Sequence, residues 1–384
     1  MYKILQIVNY MYPHIGGIEQ VARNIVHSLK DDNSVEQKII CFNEDAAKGD
    51  YICNRHETVK DYIDGVEVVR CGCAFKAASQ SISFSFPFEL QKLMNSFKPD
   101  VIIFHYPNPY QAAWFLRYKK RDFRLIIFWN LDIIKQQHLA KIFHKQTLHL
   151  CERADYLIAS SPNYIDGSPY LSRFREKSRV IPNCINTEKM FKPEEIQNLI
   201  GLIREQYKNK TICFAAGRHV PYKGLEYLVR ASKYLDGHFT VLIAGEGPLT
   251  PQLKQLAEGD SKVKFLGVIS DRELAAFDCA CDIFCFPSIT KNESFGFSMA
   301  EAMYYGKPTV TFTIPGSGVN YLSLNGITGV ECPNADAKAF AEAIQTLDNN
   351  AELREKYGCA AKDRILKEFT FEIFQKLFIK LLKN

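Results

Sequence analysis

Two cations and two carboxylates stand at spacings that could do chemistry. In "GRHVPYKG", Arg218 and Lys223 lie in what reads as a single strand-to-helix loop. Two cations beside a helix N-terminus can neutralise a diphosphate and stabilise the charge it gains as a leaving group; two solvated surface charges are the plain alternative. The turn "GEGP", residues 245–248, closes the next strand with Gly245 and Gly247 and opens the same edge of the sheet. Further on, "KNESFGFSMAEAMYYGKP" holds Glu293 and Glu301. If a helix begins near Ser294, residues eight apart lie about two turns along it and roughly 80° around, so the two carboxylates cannot act side by side as acid and base. They suit gripping the two ends of one elongated ligand, with the amides of Phe295 and Gly296 aimed at its phosphates. The bland reading makes Glu293 a partner of the helix dipole and Glu301 part of a solvated face. Near the N-terminus, Gly16 and Gly17 precede a long helical pattern, where they could hold a phosphate or simply make a turn. The spacing is not Gly-x-Gly-x-x-Gly, so a nicotinamide dinucleotide site is not supported.

The elements that must position these residues can be read from periodicity. A strand at about 3–9 leads into "IEQVARNIVHSL", which puts Ile18, Val21, Ala22, Ile25 and Leu29 on one helical face. The runs "KIICF", "VEVVR", "DVIIFH", "RLIIFW" and "YLIASS" then alternate with helical or loop segments. This is the cadence of a parallel sheet wrapped by helices. The pattern restarts near residue 210 with "TICFAAG", "FTVLIAG", "VKFLG", "DIFCFPS" and "PTVTFTI" as strands. Two tandem βαβ halves fit two Rossmann-like domains, expected at 1–187 and 188–369, with the boundary in "SRVIPNCINTEKMFKPEE". The tail "FEIFQKLFIKLLKN", within 370–384, reads as a basic amphipathic helix that packs back on the protein; membrane contact is the other reading.

Composition narrows the function classes. With 47% hydrophobic and 24% charged residues, the 384-residue chain has the make-up of a soluble globular protein. No apolar stretch reaches the ~18 residues needed to span a bilayer. "MYKILQIVNYMYPHIGG" reads as a first strand and not as a signal peptide, so a cytosolic location is expected. A net charge of +5 does not argue for nucleic acid. The excess is local, in "RYKKRDFR" and "KQQHLAKIFHKQTLHLCER", which could approach an anionic membrane surface or form a solvated face. Of the 12 cysteines, Cys279, Cys281 and Cys285 come closest to a cluster. No matching pair follows at zinc-ligand spacing, and buried reduced thiols are expected.

Taken together, "YPHIGGIEQVARNIV", "SRVIPNCIN", "GRHVPYKGLEYLVRA", "LIAGEGP", "VKFLGVISDRELAAFDCACDIFCFPS", "ESFGFSMAEAMYYGKPTV" and "NGITGVECP" resemble the retaining glycosyltransferases of family 4 over nearly the whole chain. That resemblance implies an α/β fold of the GT-B kind, two Rossmann-like domains facing across a cleft, the first binding acceptor and the second a nucleotide sugar. By it, Arg218 and Lys223 would bind the donor diphosphate, with Gly16 and Gly17 closing on it from the other domain and Gly217, Gly245 and Gly247 shaping the loops around it. Glu293, Ser294, Phe295 and Gly296 would hold the donor sugar, Glu301 the ribose hydroxyls, and Val268 would lie beside the base. His105 falls where the family lines the cleft near the reacting sugar, although a satisfied buried histidine has the same sequence context.

One segment departs from the pattern. "IIFWNLDIIKQ" resembles a "WHSDIVKQ"-type stretch of bacterial polysaccharide mannosyltransferases, with Asn130 at the histidine site and Leu131 at the serine site. Asn130 can hydrogen-bond a sugar but cannot exchange a proton near neutral pH. Asp132 and Lys135 match and are expected on the acceptor side with Asn130. No Asp-x-Asp triplet occurs, so no metal-bridged diphosphate and no cofactor are implied. The expected activity is retaining transfer of a hexose, first mannose from GDP-mannose and next a UDP-hexose, to a growing, lipid-linked cell-surface glycan. A nucleotide-sugar epimerase of the same shape and a non-catalytic nucleotide-sugar-binding partner of another transferase are the competing readings.

Overall fold

In the computed structural model, residues 1–14, 16–45, 50–77, 80–120, 122–133 and 137–383 are described. The backbone separates into two compact units. The first comprises Met1–Ser160, Ile165–Ile181 and the stretch from Phe374 onward; the second comprises Ser161–Tyr164 and Pro182–Ile373.

The first unit is built on a sheet whose strands run in the order Ser178–Val180, Tyr156–Ala159, Arg124–Trp129, Val101–Tyr106, Tyr2–Ile7, Val35–Phe42, Val66–Cys71 and Val59–Ile63. All neighbours are parallel except the last pair. Helices on the faces of a parallel sheet bury its strands on both sides, which is why these strands read as unbroken apolar runs. Val101–Tyr106 is buried at every position. Cys41 and Cys71 occupy strand positions as small apolar side chains. The helix Gly17–Ser28 buries Val21, Ala22, Ile25 and Val26, as its spacing requires, while Ile18 stays half-buried.

The second unit carries an all-parallel sheet in the order Val263–Gly267, Phe239–Ala244, Thr211–Ala216, Ile283–Phe286, Thr309–Phe312 and Gly329–Cys332. Its core joins Phe214, Phe284, Leu228, Ile243, Met303 and Phe340. Both units are thus Rossmann-like α/β layers.

The last helix, Phe371–Lys383, spends its apolar face on the first unit. Phe374, Phe378 and Leu381 are buried, and the Phe378 ring lies 6.1 Å from that of Phe128. Gln375 donates to the Ser28 carbonyl at 3.0 Å, and the Arg124 guanidinium donates to the Leu382 carbonyl. Lys376, Lys380 and Lys383 face solvent. The basic stretch around residue 117 is also engaged internally: the Arg117 guanidinium stacks 4.0 Å over the Trp114 ring. Among the described residues, no helix is long and apolar enough to cross a membrane.

Candidate functional site

The second sheet changes direction between Thr211–Ala216 and Ile283–Phe286, with successive strands added outward on either side. Loops leaving two such strands diverge, and the crevice between them is where open α/β sheets take ligands. Arg218 and Lys223 lie on the loop leaving the first strand; Glu293, Ser294, Phe295 and Gly296 lie on the loop leaving the second. Residues remote in sequence therefore meet at one point of the fold.

The meeting is direct. Lys223 Nζ lies 2.5 Å from Glu293 Oε2, with the two side chains 15% and 12% exposed. The ammonium also sits 4.9 Å from the Phe286 ring centroid. Burial alone would lower the Lys223 pKa, but the facing Glu293 carboxylate outweighs it and holds the pKa above the ordinary lysine value. Ser288 Oγ donates to Glu293 Oε2 at 3.3 Å, and Ser317 Oγ to the Glu293 carbonyl at 2.5 Å. Arg218 is exposed, and its guanidinium has no hydrogen-bond or ion-pair partner among the described residues. One cation is thus buried and paired, and the other is free to follow an anion.

The glycines of this region answer to backbone packing. Gly245 has φ +108°, and a Cβ there would come within 2.1 Å of the Gly217 carbonyl oxygen. A Cβ on Gly247 would lie 2.6 Å from the carbonyl oxygen of His219. Two chain segments approach too closely for side chains, whatever the loops later bind.

Gly296, at φ +102°, is the N-cap of a helix that runs Phe297–Tyr304. The helix therefore begins after Gly296 and not near Ser294, which corrects the spacing argument: Glu293 precedes the helix altogether. What separates the two glutamates is their setting, Glu293 turned to Lys223 and Glu301 carried on the helix. Phe295 is 2% exposed and packs on Phe297 and Phe369, so only its backbone can serve a ligand. Ser298 Oγ donates to the Ala216 carbonyl at 3.0 Å, pinning the helix start to the end of the first strand.

Glu301 is half-buried, and its carboxylate has no hydrogen-bond partner among the described residues. Burial first, and then the charge of Asp271, push its pKa up to about 7. Asp278, on the same face of the helix Asp271–Ala280 two turns after Asp271, is fully buried, and neither of its carboxylate oxygens is bonded among the described residues. Burial first, and then the Glu301 charge, raise its pKa well above the usual carboxylate range. Val268 is 76% exposed just after Gly267.

In the first unit the expected residues are more dispersed. Gly16 is the N-cap and Gly17 the first residue of their helix, and a Cβ on Gly16 would meet the Glu19 carboxylate at 2.5 Å. Close by, His14 lies 3.2 Å from Asp45 and 3.9 Å from Glu19. His105 does not line an open surface: it is fully buried, its Nε2 is 3.0 Å from Gln6 Oε1, and its ring stacks on Phe128. Burial pulls its pKa down to about 3, which leaves a neutral core imidazole in place of a proton carrier. Asn130 spends its NH2 group on the Tyr106 and Phe128 carbonyls, at 3.2 and 3.1 Å. Asp132, expected on the acceptor side, is 4% exposed; its Oδ1 accepts from Trp129 Nε1 and from Ser168 Oγ, each at 2.9 Å. Its carboxylate ties the loop to the fold. Lys135 lies outside the described residues. The cysteines are free, and no group of side chains among the described residues is arranged to hold a metal ion.

Sequence reading passed over His219 and Thr250, which stand beside Arg218 and the glycine turn, and Ser298 and Asp278 on the adjoining helices. Loops carry no periodicity, and a buried aspartate within an apolar helix looks like any solvated one.

Comparison with known proteins follows the division into units. Residues 15–189 match the family model described as Glycosyltransferase Family 4, and residues 209–350 match Glycosyl transferases group 1. The chain is 25% identical over 382 residues to O-antigen chain mannosyltransferase C of Escherichia coli, covering 99% of this chain and 97% of that one. It is 28% identical over 364 residues to the D-rhamnosyltransferase WbpZ of Pseudomonas aeruginosa, covering 94% and 90% respectively. Among solved structures, the sucrose-phosphate synthase of Thermosynechococcus elongatus superposes with a TM-score of 0.80 at 19% identity, over 100% of this chain and 98% of that one. Anabaena HepE in complex with UDP and glucose does so at 0.77 and 19% identity, over the full length of both chains.

Proposed function

This chain belongs to the glycosyltransferases, with a family 4 domain ahead of a group 1 domain in a GT-B fold, and from that membership we propose that it moves a hexose from a nucleoside diphosphate to a hydroxyl of a growing, lipid-linked cell-surface glycan with retention of configuration. The observation that carries the reading is the Lys223–Glu293 pair at the switch point of the second sheet, beside an exposed Arg218 that is unpaired among the described residues. In this reading the bond from the anomeric carbon to the diphosphate oxygen breaks, and Lys223 and Arg218 offset the charge left on the phosphates. The acceptor oxygen bonds to the same face of the sugar, and its proton passes to the departing phosphate oxygen. Two protein cations then do the work a bridging metal would do. Glu293 and the backbone at Phe295 and Gly296 hold the sugar, Glu301 the ribose hydroxyls, and exposed Val268 the base.

GDP-mannose is the leading donor, supported by the "DIIKQ" segment and by likeness to an O-antigen mannosyltransferase. A UDP-hexose comes second, supported by the UDP complex of HepE. A thermal-shift panel of GDP, UDP, dTDP and ADP sugars tests site and base together, because a ligand of the native state raises the midpoint with concentration. One sugar nucleotide should stand out, followed by transfer to an acceptor; a flat panel would overturn the proposal.

The charge of Glu301 makes donor binding pH-dependent. Ribose hydroxyls donate better to a carboxylate than to a neutral acid. With the free-protein pKa raised to about 7, ionisation is completed as pH rises through that value, so affinity for the sugar nucleotide should climb between about pH 6 and 8 and level off above. The fold has the opposite dependence: Glu301 favours the protonated state when folded, so its share of stability is lost as pH rises from its unfolded value toward 7. Titration calorimetry with GDP-mannose, whose diphosphate does not ionise in this range, checks the first slope. Glu301→Gln should weaken binding and flatten it, and a slope that survives the substitution would contradict the assignment.

A further inference from the structure

We propose that His219 is a positioning residue for donor binding: through Thr250 it locks the glycine turn 245–248 against the loop that carries Arg218, so that both loops meet the diphosphate at a fixed separation. The role rests on the nucleotide-sugar reading of the site and adds a residue to it.

His219 follows Arg218 directly and is fully buried. Its backbone N–H donates to the Glu246 carbonyl at 3.0 Å, and its carbonyl accepts from the Leu249 N–H at 3.0 Å. The side chain makes a third tie: Nδ1 lies 2.8 Å from Thr250 Oγ1, and the same oxygen accepts the Gly247 N–H at 3.0 Å. The imidazole therefore reaches the glycine turn through one hydroxyl. Its ring meets Phe265 edge-on, with centroids 6.1 Å apart, and Nε2 is buried without a hydrogen-bond partner among the described residues. Burial lowers the imidazole pKa, which keeps the ring neutral at neutral pH. A buried nitrogen left unbonded costs stability. The geometry accepts that cost at Nε2 and uses Nδ1, the atom that faces Thr250.

The close approach of the two segments makes this tie consequential. Gly217 touches Gly245, and Gly247 touches the His219 backbone, so the turns are in contact at two points and any opening moves Arg218 relative to both glycines. Backbone bonds hold Glu246 and Leu249 to the His219 main chain, while the side-chain tie reaches Gly247 between them. Losing it would weaken donor binding in ground and transition states alike, raising KM and sparing kcat.

The test uses Thr250→Val, which removes one hydroxyl at nearly constant shape, with His219→Asn and His219→Gln. The Asn amide stands where Nδ1 stands and can donate or accept; the Gln amide stands where Nε2 stands. Expected are a several-fold to tenfold rise in donor KM for Thr250→Val and His219→Gln with kcat within about twofold, near-wild-type values for His219→Asn, and faster hydrogen exchange at the Gly247 amide in the first two only. An unchanged donor KM and Gly247 exchange in Thr250→Val would overturn the role of His219 while leaving transfer by the wild type intact. No transfer by the wild type would instead overturn the functional reading and the donor role with it.

Discussion

Lys223→Ala should slow sugar transfer by about 10²- to 10³-fold, on the order of 3–4 kcal/mol of lost transition-state stabilisation. The size follows from where the charge sits. Lys223 is 15% exposed against an aromatic ring, in surroundings where a charge acts at short range with little screening, whereas Arg218 is in solvent. Arg218→Ala should therefore cost less than Lys223→Ala, and its effect should shrink further as salt is raised. Steady-state kinetics on both variants with the donor chosen by the thermal panel would check the order; turnover unchanged in Lys223→Ala would remove it from the mechanism. The alanine variant also leaves Glu293 buried without its cation, a change that can cost several kcal/mol of stability. A melting curve must accompany the kinetics, so that lost activity is read on folded protein.

Glu293→Gln should move binding and catalysis in opposite directions. In the free protein Glu293 occupies the ammonium that a diphosphate would claim, at 2.5 Å. Replacing the carboxylate by an amide removes that competitor and one negative charge near the phosphates. Affinity for a bare nucleoside diphosphate should rise about tenfold, or about 1.4 kcal/mol. Transfer should nonetheless fall by about 10²-fold or more, because the amide is a weaker acceptor for sugar hydroxyls and carries no charge to balance an oxocarbenium-like sugar. Calorimetry with GDP and UDP beside kinetics with the sugar nucleotide gives both signs. A variant that loses affinity for the nucleotide as well would mean that Glu293 supports the site structurally and does not compete for Lys223.

Much of this architecture was legible because parallel strands covered on both faces leave continuous apolar runs, and "DVIIFH", "FTVLIAG" and "DIFCFPS" are such runs. That Arg218, Lys223 and Glu293 lie on loops leaving those strands was legible for a related reason: each falls between an apolar run and the next helical pattern. The pairing of Lys223 with Glu293 was not, since nothing local links two loops joined through separate strands. Nor was the start of the helix at Phe297, because Gly296 in "ESFGFS" could as well have lain inside a helix as capped one. His105 and Asp132 show the same limit from the other side. A histidine ending an apolar strand and an aspartate in a loop look available, and only the fold reveals that Gln6 and Phe128 surround the one and Trp129 and Ser168 occupy the other.

The helix Phe371–Lys383 has a consequence in time. The first unit closes on a segment that begins at Phe374, although the rest of its chain ends at Ile181. Roughly 200 residues must be synthesised in between, on the order of ten to forty seconds at ribosomal speed. Through that interval the surface destined for Phe374 and Phe378 stands open beside Phe128 while the second unit is still being made. The earliest part of the polypeptide is the last to be completed, and the newborn chain offers chaperones and aggregation a greasy face that the finished protein never shows.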